Sequence, residues 1–174
     1  MNAWPTEVHR LLRSAGVRQV AMVPDAGHAA LIGLCEADSS MRVIRLTTEE
    51  EGIALLCGAW LGGNKGVLLM QSSGVGNCIN FLSLIQHCRI PFLTLVTMRG
   101  DFGEQNPWQF AMGRAVEPTL AAMGVDVLRA DRADDVLPTV DAALGMVDRG
   151  GRAVAMLLGQ RLLGAKTFGP QGAP

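Results

Sequence analysis

Residues 49–51 read Glu-Glu-Glu, directly after the polar pair Thr47-Thr48 and ahead of an apolar run. Acids at a helix start are stabilised by the helix dipole whatever else they do, and Thr48 with Glu51 fits the capping-box spacing. Glu49 differs from its neighbours. Positions 49, 53, 56 and 60 share one helical face, so Glu49 heads a stripe continued by Ile53, Leu56 and Trp60. A carboxyl in apolar surroundings can share a proton with a ligand nitrogen, which makes Glu49 the candidate catalytic acid. The second pattern is Ser72-Ser73-Gly74-Val75-Gly76-Asn77. Two glycines flanking a bulky residue between a strand and a helix let the backbone approach a flat ligand closely. This is not a Walker A loop, because no Gly-Lys-Ser/Thr follows. Nor is it a full GxGxxG, because Ile79 stands where the third glycine would be.

Other residues carry weaker signals. Asp25 and His28 follow an apolar run closed by Pro24. They read either as groups that bind substrate or assist protonation, or as an Asx turn with a surface histidine. His87 ends a helical pattern, where a cation suits the dipole, and is also a candidate active-site base. Arg99 could clamp a sulfonate or phosphonate or make an ordinary interface ion pair. Residues 105–109 lie in the longest irregular stretch, where a partner or substrate loop is expected. Met98, Met112 and Met123 read as core or interface filler. The four cysteines, Cys35, Cys57, Cys78 and Cys88, form no CxxC pair and share no metal-ligand spacing with the three histidines.

These residues must be positioned by alternating elements. Helical periodicity is expected over 6–15, 26–37, 48–61, 75–88, 117–123 and 133–147. Short apolar runs at 17–23, 41–46, 67–70, 92–96, 125–128 and 153–158 read as strands. Six strands separated by helices predict a parallel sheet covered on both faces. Ligands in such sheets sit beyond the carboxyl ends of the strands. The polar and glycine-rich segments 24–28, 47–49, 71–76 and 97–100 all fall on that edge. A dinucleotide fingerprint belongs after the first strand, whereas the glycine pair here follows the third.

Composition narrows the function classes. The chain has 174 residues, 49% of them apolar, enough for one domain with a sizeable core. Lys and Arg number 15 against 16 Asp and Glu, so no basic excess exists to neutralise phosphates, and nucleic acid is not an expected partner. The low charged fraction, 18%, suggests a surface partly covered by another chain. No apolar run reaches about 18 residues, so no membrane span is expected. Residues 1–13 lack the apolar core of a secretory signal, and a cytoplasmic protein is the expectation.

Taken together, the Glu49 helix start, the Ala/Gly-rich turn after it, the short strand and the Gly74-Val75-Gly76 segment resemble the pyrimidine-binding (PYR) domain of thiamine-diphosphate-dependent enzymes. Laying Gly58 and Gly74 on that family's two glycines puts Glu49 on its glutamate. The resemblance runs from 17 to 158. Closer still, LLMQSSGVGNCIN at 68–80, Met98-Arg99-Gly100 and PWQFAMGRA at 107–115 are similar to sulfopyruvate and phosphonopyruvate decarboxylases. The resemblance implies a flavodoxin-like three-layer α/β/α fold with a six-stranded parallel sheet, a PYR domain over 1–165 and a flexible tail over 166–174.

It further implies a 2-oxo acid decarboxylase. Glu49 would hydrogen-bond a ring nitrogen of the cofactor's aminopyrimidine and favour the tautomer that takes the thiazolium proton. Pro24, Ser73, Gly74, Val75, Gly76 and Asn77 would line the cofactor, and Asp25, His28, His87 and Arg99 are the substrate candidates. Family members hold magnesium and diphosphate through Gly-Asp-Gly and a downstream Asn-Asn. Gly100-Asp101-Phe102 with Asn106 lacks the second glycine and the spacing. The resemblance therefore assigns no metal to this chain. It implies a PP-domain beta subunit that carries the Mg2+, in an α2β2 or larger heteromer active only when assembled. Two alternatives stay open: a carboligase subunit similar to acetolactate synthase, and a non-catalytic α/β binding or regulatory subunit.

Overall fold

The computed structural model describes residues 4–165; the tail expected over 166–174 lies outside them. Six strands, β1 (Val17–Met22), β2 (Arg42–Arg45), β3 (Lys65–Gln71), β4 (Phe92–Thr97), β5 (Asp126–Ala130) and β6 (Ala153–Leu158), form one sheet in the order β2-β1-β3-β4-β6-β5. Every pairing is parallel. The central strands β4 and β6 are buried along their whole length, as their near-continuous apolar sequences require. Thr94 is tolerated there because its hydroxyl donates to the Leu68 carbonyl at 3.0 Å. The edge strand β2 reads Arg-Val-Ile-Arg, with charged ends exposed to water.

Three helices cover each face. On one side α1 (Trp4–Ser14), α2 (Ala29–Ala37) and α6 (Ala133–Asp148) pack Val8, Leu12, Leu31, Val136 and Val140 onto the sheet. On the other, α3 (Glu49–Leu61), α4 (Ser72–Cys88) and α5 (Phe110–Ala122) contribute Ile53, Leu56, Cys78, Leu82, Val116 and Leu120. Each such side chain stabilises the fold by roughly 1.5–3 kcal/mol when fully buried. A short helix α7 (Gln160–Leu163) follows β6. Among the described residues no helix is long and apolar enough to cross a membrane.

The strand order reverses twice, between β1 and β3 and again between β4 and β6. Crevices open beyond the carboxyl ends of the strands at such points. These two frame the polar segments singled out in the sequence.

Three expected helix starts move by three residues or more. Helix α4 starts at Ser72 rather than 75, so the glycine segment is helix and not loop. Two glycines cost roughly 1 kcal/mol each in a helix, and packing of α4 between α3 and α5 overrides that penalty. Helix α5 starts at Phe110, seven residues before 117, and runs through Pro118. Proline has no amide to offer the Arg114 carbonyl, and both residues are exposed. Helix α2 starts at Ala29 rather than 26, because 24–28 form the turn that carries Asp25.

Candidate active site

The three glutamates of α3 diverge. Glu51 is exposed and reaches back to the Thr47 amide at 2.9 Å, while Glu50 accepts the Thr48 hydroxyl. The capping box expected between Thr48 and Glu51 does not form, since the Thr48 side chain caps no helix amide. Glu49 alone is buried, 8% exposed, above Ile53 and Leu56. Trp60, the last member of the expected stripe, is half exposed.

Glu49 lies directly against the first turn of α4. Asn77 Nδ2 donates to Glu49 Oε2 at 2.8 Å. Among the described residues no donor reaches Oε1. A Cβ on Gly74 would stand 2.4 Å from both Cδ and Oε1 of Glu49. Glycine at 74 thus serves close approach, and neither Gly74 nor Gly76 has a positive φ.

Glu49, Ser73, Gly74, Gly76 and Asn77 form one side of an open cleft of about 610 Å³. Pro107, Trp108, Ala111 and Met112 form the other. Gly76 is close to this second wall, its Cβ position lying 3.3 Å from Met112 Sδ. Of the segment 73–77, Val75 does not join the cleft: its side chain is fully buried in the core. Pro24 lies just past β1, exposed and outside the lining.

At the β1/β3 crevice Asp25 is the centre of a polar network. Its Oδ2 accepts from Thr97 Oγ1 at 2.5 Å and from the Gly27 amide at 3.1 Å, and its Oδ1 accepts from Gln71 Nε2 at 3.0 Å. Ser73 Oγ, on the cleft wall, donates to Gln71 Oε1 at 3.1 Å. The Gly27 bond is the Asx turn anticipated for Asp25. His28 is no surface histidine. It is fully buried, donates from Nε2 to the Leu95 carbonyl at 3.0 Å and, among the described residues, has no partner for Nδ1. Burial pushes its pKa down, against the opposing pull of Asp25.

The structure gives Arg99 a carboxylate partner and leaves His87 exposed. The Arg99 fork is already on a carboxylate, Nε to Glu104 Oε2 at 2.6 Å and Nη2 to Oε1 at 2.9 Å, both side chains being nearly buried. An anionic substrate taking the same fork would have to displace Glu104. His87 is exposed near the far end of α4, about 21 Å along the helix from Ser73 at 1.5 Å per residue. Among the described residues no group of three or more His, Cys, Asp or Glu side chains is gathered to hold a metal ion.

Gln71 and Thr97, the terminal residues of β3 and β4, fall on the carboxyl edge expected from the sequence, but nothing in the sequence singled them out as the residues that hold Asp25. Trp108 falls in the stretch 105–109 expected to meet a partner or substrate, whereas Met112, read as filler, lines the cleft because α5 starts before Gly113 and Pro118.

The fold and the cleft define a doubly wound α/β domain with a buried acid at a helix start, one carboxyl oxygen left open to a ligand. No protein-family model matches the chain. It is 33% identical over 152 residues to the alpha subunit of sulfopyruvate decarboxylase from Methanococcus maripaludis, covering 87% of this chain and 91% of that one. It is 41% identical over 105 residues to the phosphonopyruvate decarboxylase of Streptomyces viridochromogenes, covering 59% of this chain and 26% of the longer relative. The fold is shared with a 2-oxoglutarate:ferredoxin oxidoreductase from Magnetococcus marinus, at a TM-score of 0.70 and 14% identity over 97% of this chain and 34% of that one. The chain belongs to the family of sulfopyruvate decarboxylase alpha subunits.

Proposed function

We propose that this chain is the PYR-type alpha subunit of a two-chain, thiamine-diphosphate-dependent 2-oxo acid decarboxylase acting on sulfopyruvate or phosphonopyruvate. The observation that carries the reading is Glu49, buried at the head of α3 with Oε2 fixed by Asn77 and Oε1 open beside Gly74. These residues fit an aminopyrimidine. The missing side chain at Gly74 gives the carboxyl access to the cleft, and Gly76 keeps the adjoining helix wall low enough for a flat ring.

When bound, thiamine diphosphate would supply a thiazolium carbanion that adds to the keto carbon of a 2-oxo acid, and its cationic ring would take up the electron pair released as carbon dioxide leaves. Glu49 Oε1 would hold the proton shared with a ring nitrogen, and dry surroundings strengthen that hydrogen bond. Asn77 keeps the carboxyl aimed. Asp25, with Gln71, orients the Ser73 hydroxyl on the cleft wall. In this reading a PP-domain beta subunit provides magnesium and the diphosphate site, in an α2β2 or larger complex. One relative named as a subunit alpha, and a phosphonopyruvate decarboxylase of which this chain covers 26%, support it. Four unpaired cysteines suit a reducing cytoplasm.

The test is carbon dioxide release from sulfopyruvate, phosphonopyruvate and pyruvate, by the chain alone and with its beta subunit, with thiamine diphosphate and magnesium present. Turnover is expected only in the mixture, and Glu49→Gln in that mixture should lose about 100-fold or more. Turnover by the purified chain alone, or full turnover of the Glu49→Gln complex, would refute the reading.

A further inference from the structure

The connection from β4 to the single 3-10 turn at Pro107–Gln109 leads from the β4/β6 crevice to the Pro107-Trp108 wall of the cleft. Four of its amides are held by only two side chains. Gln160 Oε1, behind β6, accepts from the amides of Asp101 at 3.2 Å and Phe102 at 3.1 Å. Glu104 Oε1 accepts from those of Gln105 at 3.0 Å and Asn106 at 2.9 Å. The two side chains are joined, Gln160 Nε2 donating to Glu104 Oε2 at 2.9 Å.

The same carboxylate takes the Arg99 fork, so Glu104, with its side chain 2% exposed, is fully satisfied. The Arg99 guanidinium holds it well below the usual carboxylate range. Asn106 Oδ1 then accepts from the Trp108 amide at 3.1 Å and caps the turn. At the other end the Arg99 amide donates to Ser72 Oγ at 3.1 Å, one residue before the Ser73 wall. The backbone also lies directly on α5: a Cβ on Gly100 would stand 2.1 Å from the Gln109 carbonyl oxygen. Gly100 has φ +81°, so glycine is required there on both counts.

We propose that Glu104, with Gln160 as its second arm, is the positioning residue of this active site. It locks residues 99–106 so that Pro107 and Trp108 stand opposite Glu49 before cofactor or partner arrives. Arg99 serves this lock rather than gripping the substrate. The catalytic consequence rests on the decarboxylase reading above; the lock itself does not.

The first experiment is amide hydrogen exchange on the chain alone, comparing wild type with Glu104→Gln and Gln160→Leu. The second variant covers the case in which Glu104→Gln, by leaving Arg99 unpaired, fails to fold. Exchange at residues 101, 102, 105 and 106 should speed up about tenfold or more, with β3, β4 and β6 unchanged. The second experiment uses the assembled complex. KM for the 2-oxo acid should rise about tenfold while kcat moves less than about threefold and the pH profile keeps its shape, because a wall is displaced and no proton donor is lost.

Unchanged exchange in a folded variant overturns the proposal. So does wild-type KM and kcat in both variants when Glu49→Gln is inactive. If instead Glu49→Gln keeps full turnover, the decarboxylase reading fails, and the exchange result still decides the lock.

Discussion

Glu49, Glu50 and Glu51 sit in one helical turn, yet their surroundings give each a different task. Glu51 satisfies a loop amide, Glu50 takes the Thr48 hydroxyl, and Glu49 alone faces Gly74 with an oxygen to spare. Substitution should sort them in the same way. In the assembled complex Glu51→Gln should leave kcat within about twofold of wild type, set against the loss of about 100-fold or more expected of Glu49→Gln. His28 makes a second residue-scale prediction. Its folded pKa lies below the ordinary 6.5, so the unfolded chain takes up the proton first. The stability that His28 contributes is therefore full above about 6.5 and is lost as pH falls from there toward the folded value. Tm should decline between about pH 7 and about pH 5, and His28→Gln, which keeps a donor for the Leu95 carbonyl, should flatten that decline. A slope identical to wild type would remove His28 as its cause. Glu104 is held below its ordinary 4.5, so its loss sets in only below that value and does not overlap this window.

At the scale of elements, the meeting of α3 with α4 makes the site. Gly74 is the contact point, and Gly74→Ala would push a methyl group into the Glu49 carboxyl. We expect turnover of the complex to fall about tenfold or more while the chain still folds, because alanine favours helix at a position already helical. Circular dichroism and kcat measured on the same preparation check this, and an active Gly74→Ala complex would show that Glu49 can move aside without cost. The glycine pair was legible in the sequence as a close-approach signal, but its helical state was not. Local propensity opposes helix at 74 and 76, and the flanking helices decide the matter. Pro118 misled in the same way, since a proline reads as a helix boundary, whereas here it lies within α5 on its exposed side.

For the molecule as a whole, burial sets thiol chemistry. Cys35, Cys57 and Cys78 are buried and Cys88 is exposed. Burial pushes the Cys35 thiol up to about 11 and the Cys78 thiol up to about 12. A thiol reagent at neutral pH should therefore modify Cys88 rapidly in the native chain and the other three only on unfolding; rapid reaction of Cys78 would show that α4 opens. The alternation of helical and strand periods, with strands apolar throughout, was enough to define a doubly wound parallel sheet, because burial on both faces leaves no polar side to the pattern. An acid heading an apolar helical stripe was enough to single out Glu49. What the sequence did not contain was strand order. Gln160 lies 56 residues from Glu104, and Thr97 lies 72 from Asp25. Periodicity reports only which face a residue takes within its own element. Which loops share a crevice is fixed by the packing of whole strands side by side, and only the tertiary structure could turn Arg99 from a substrate clamp into part of a lock.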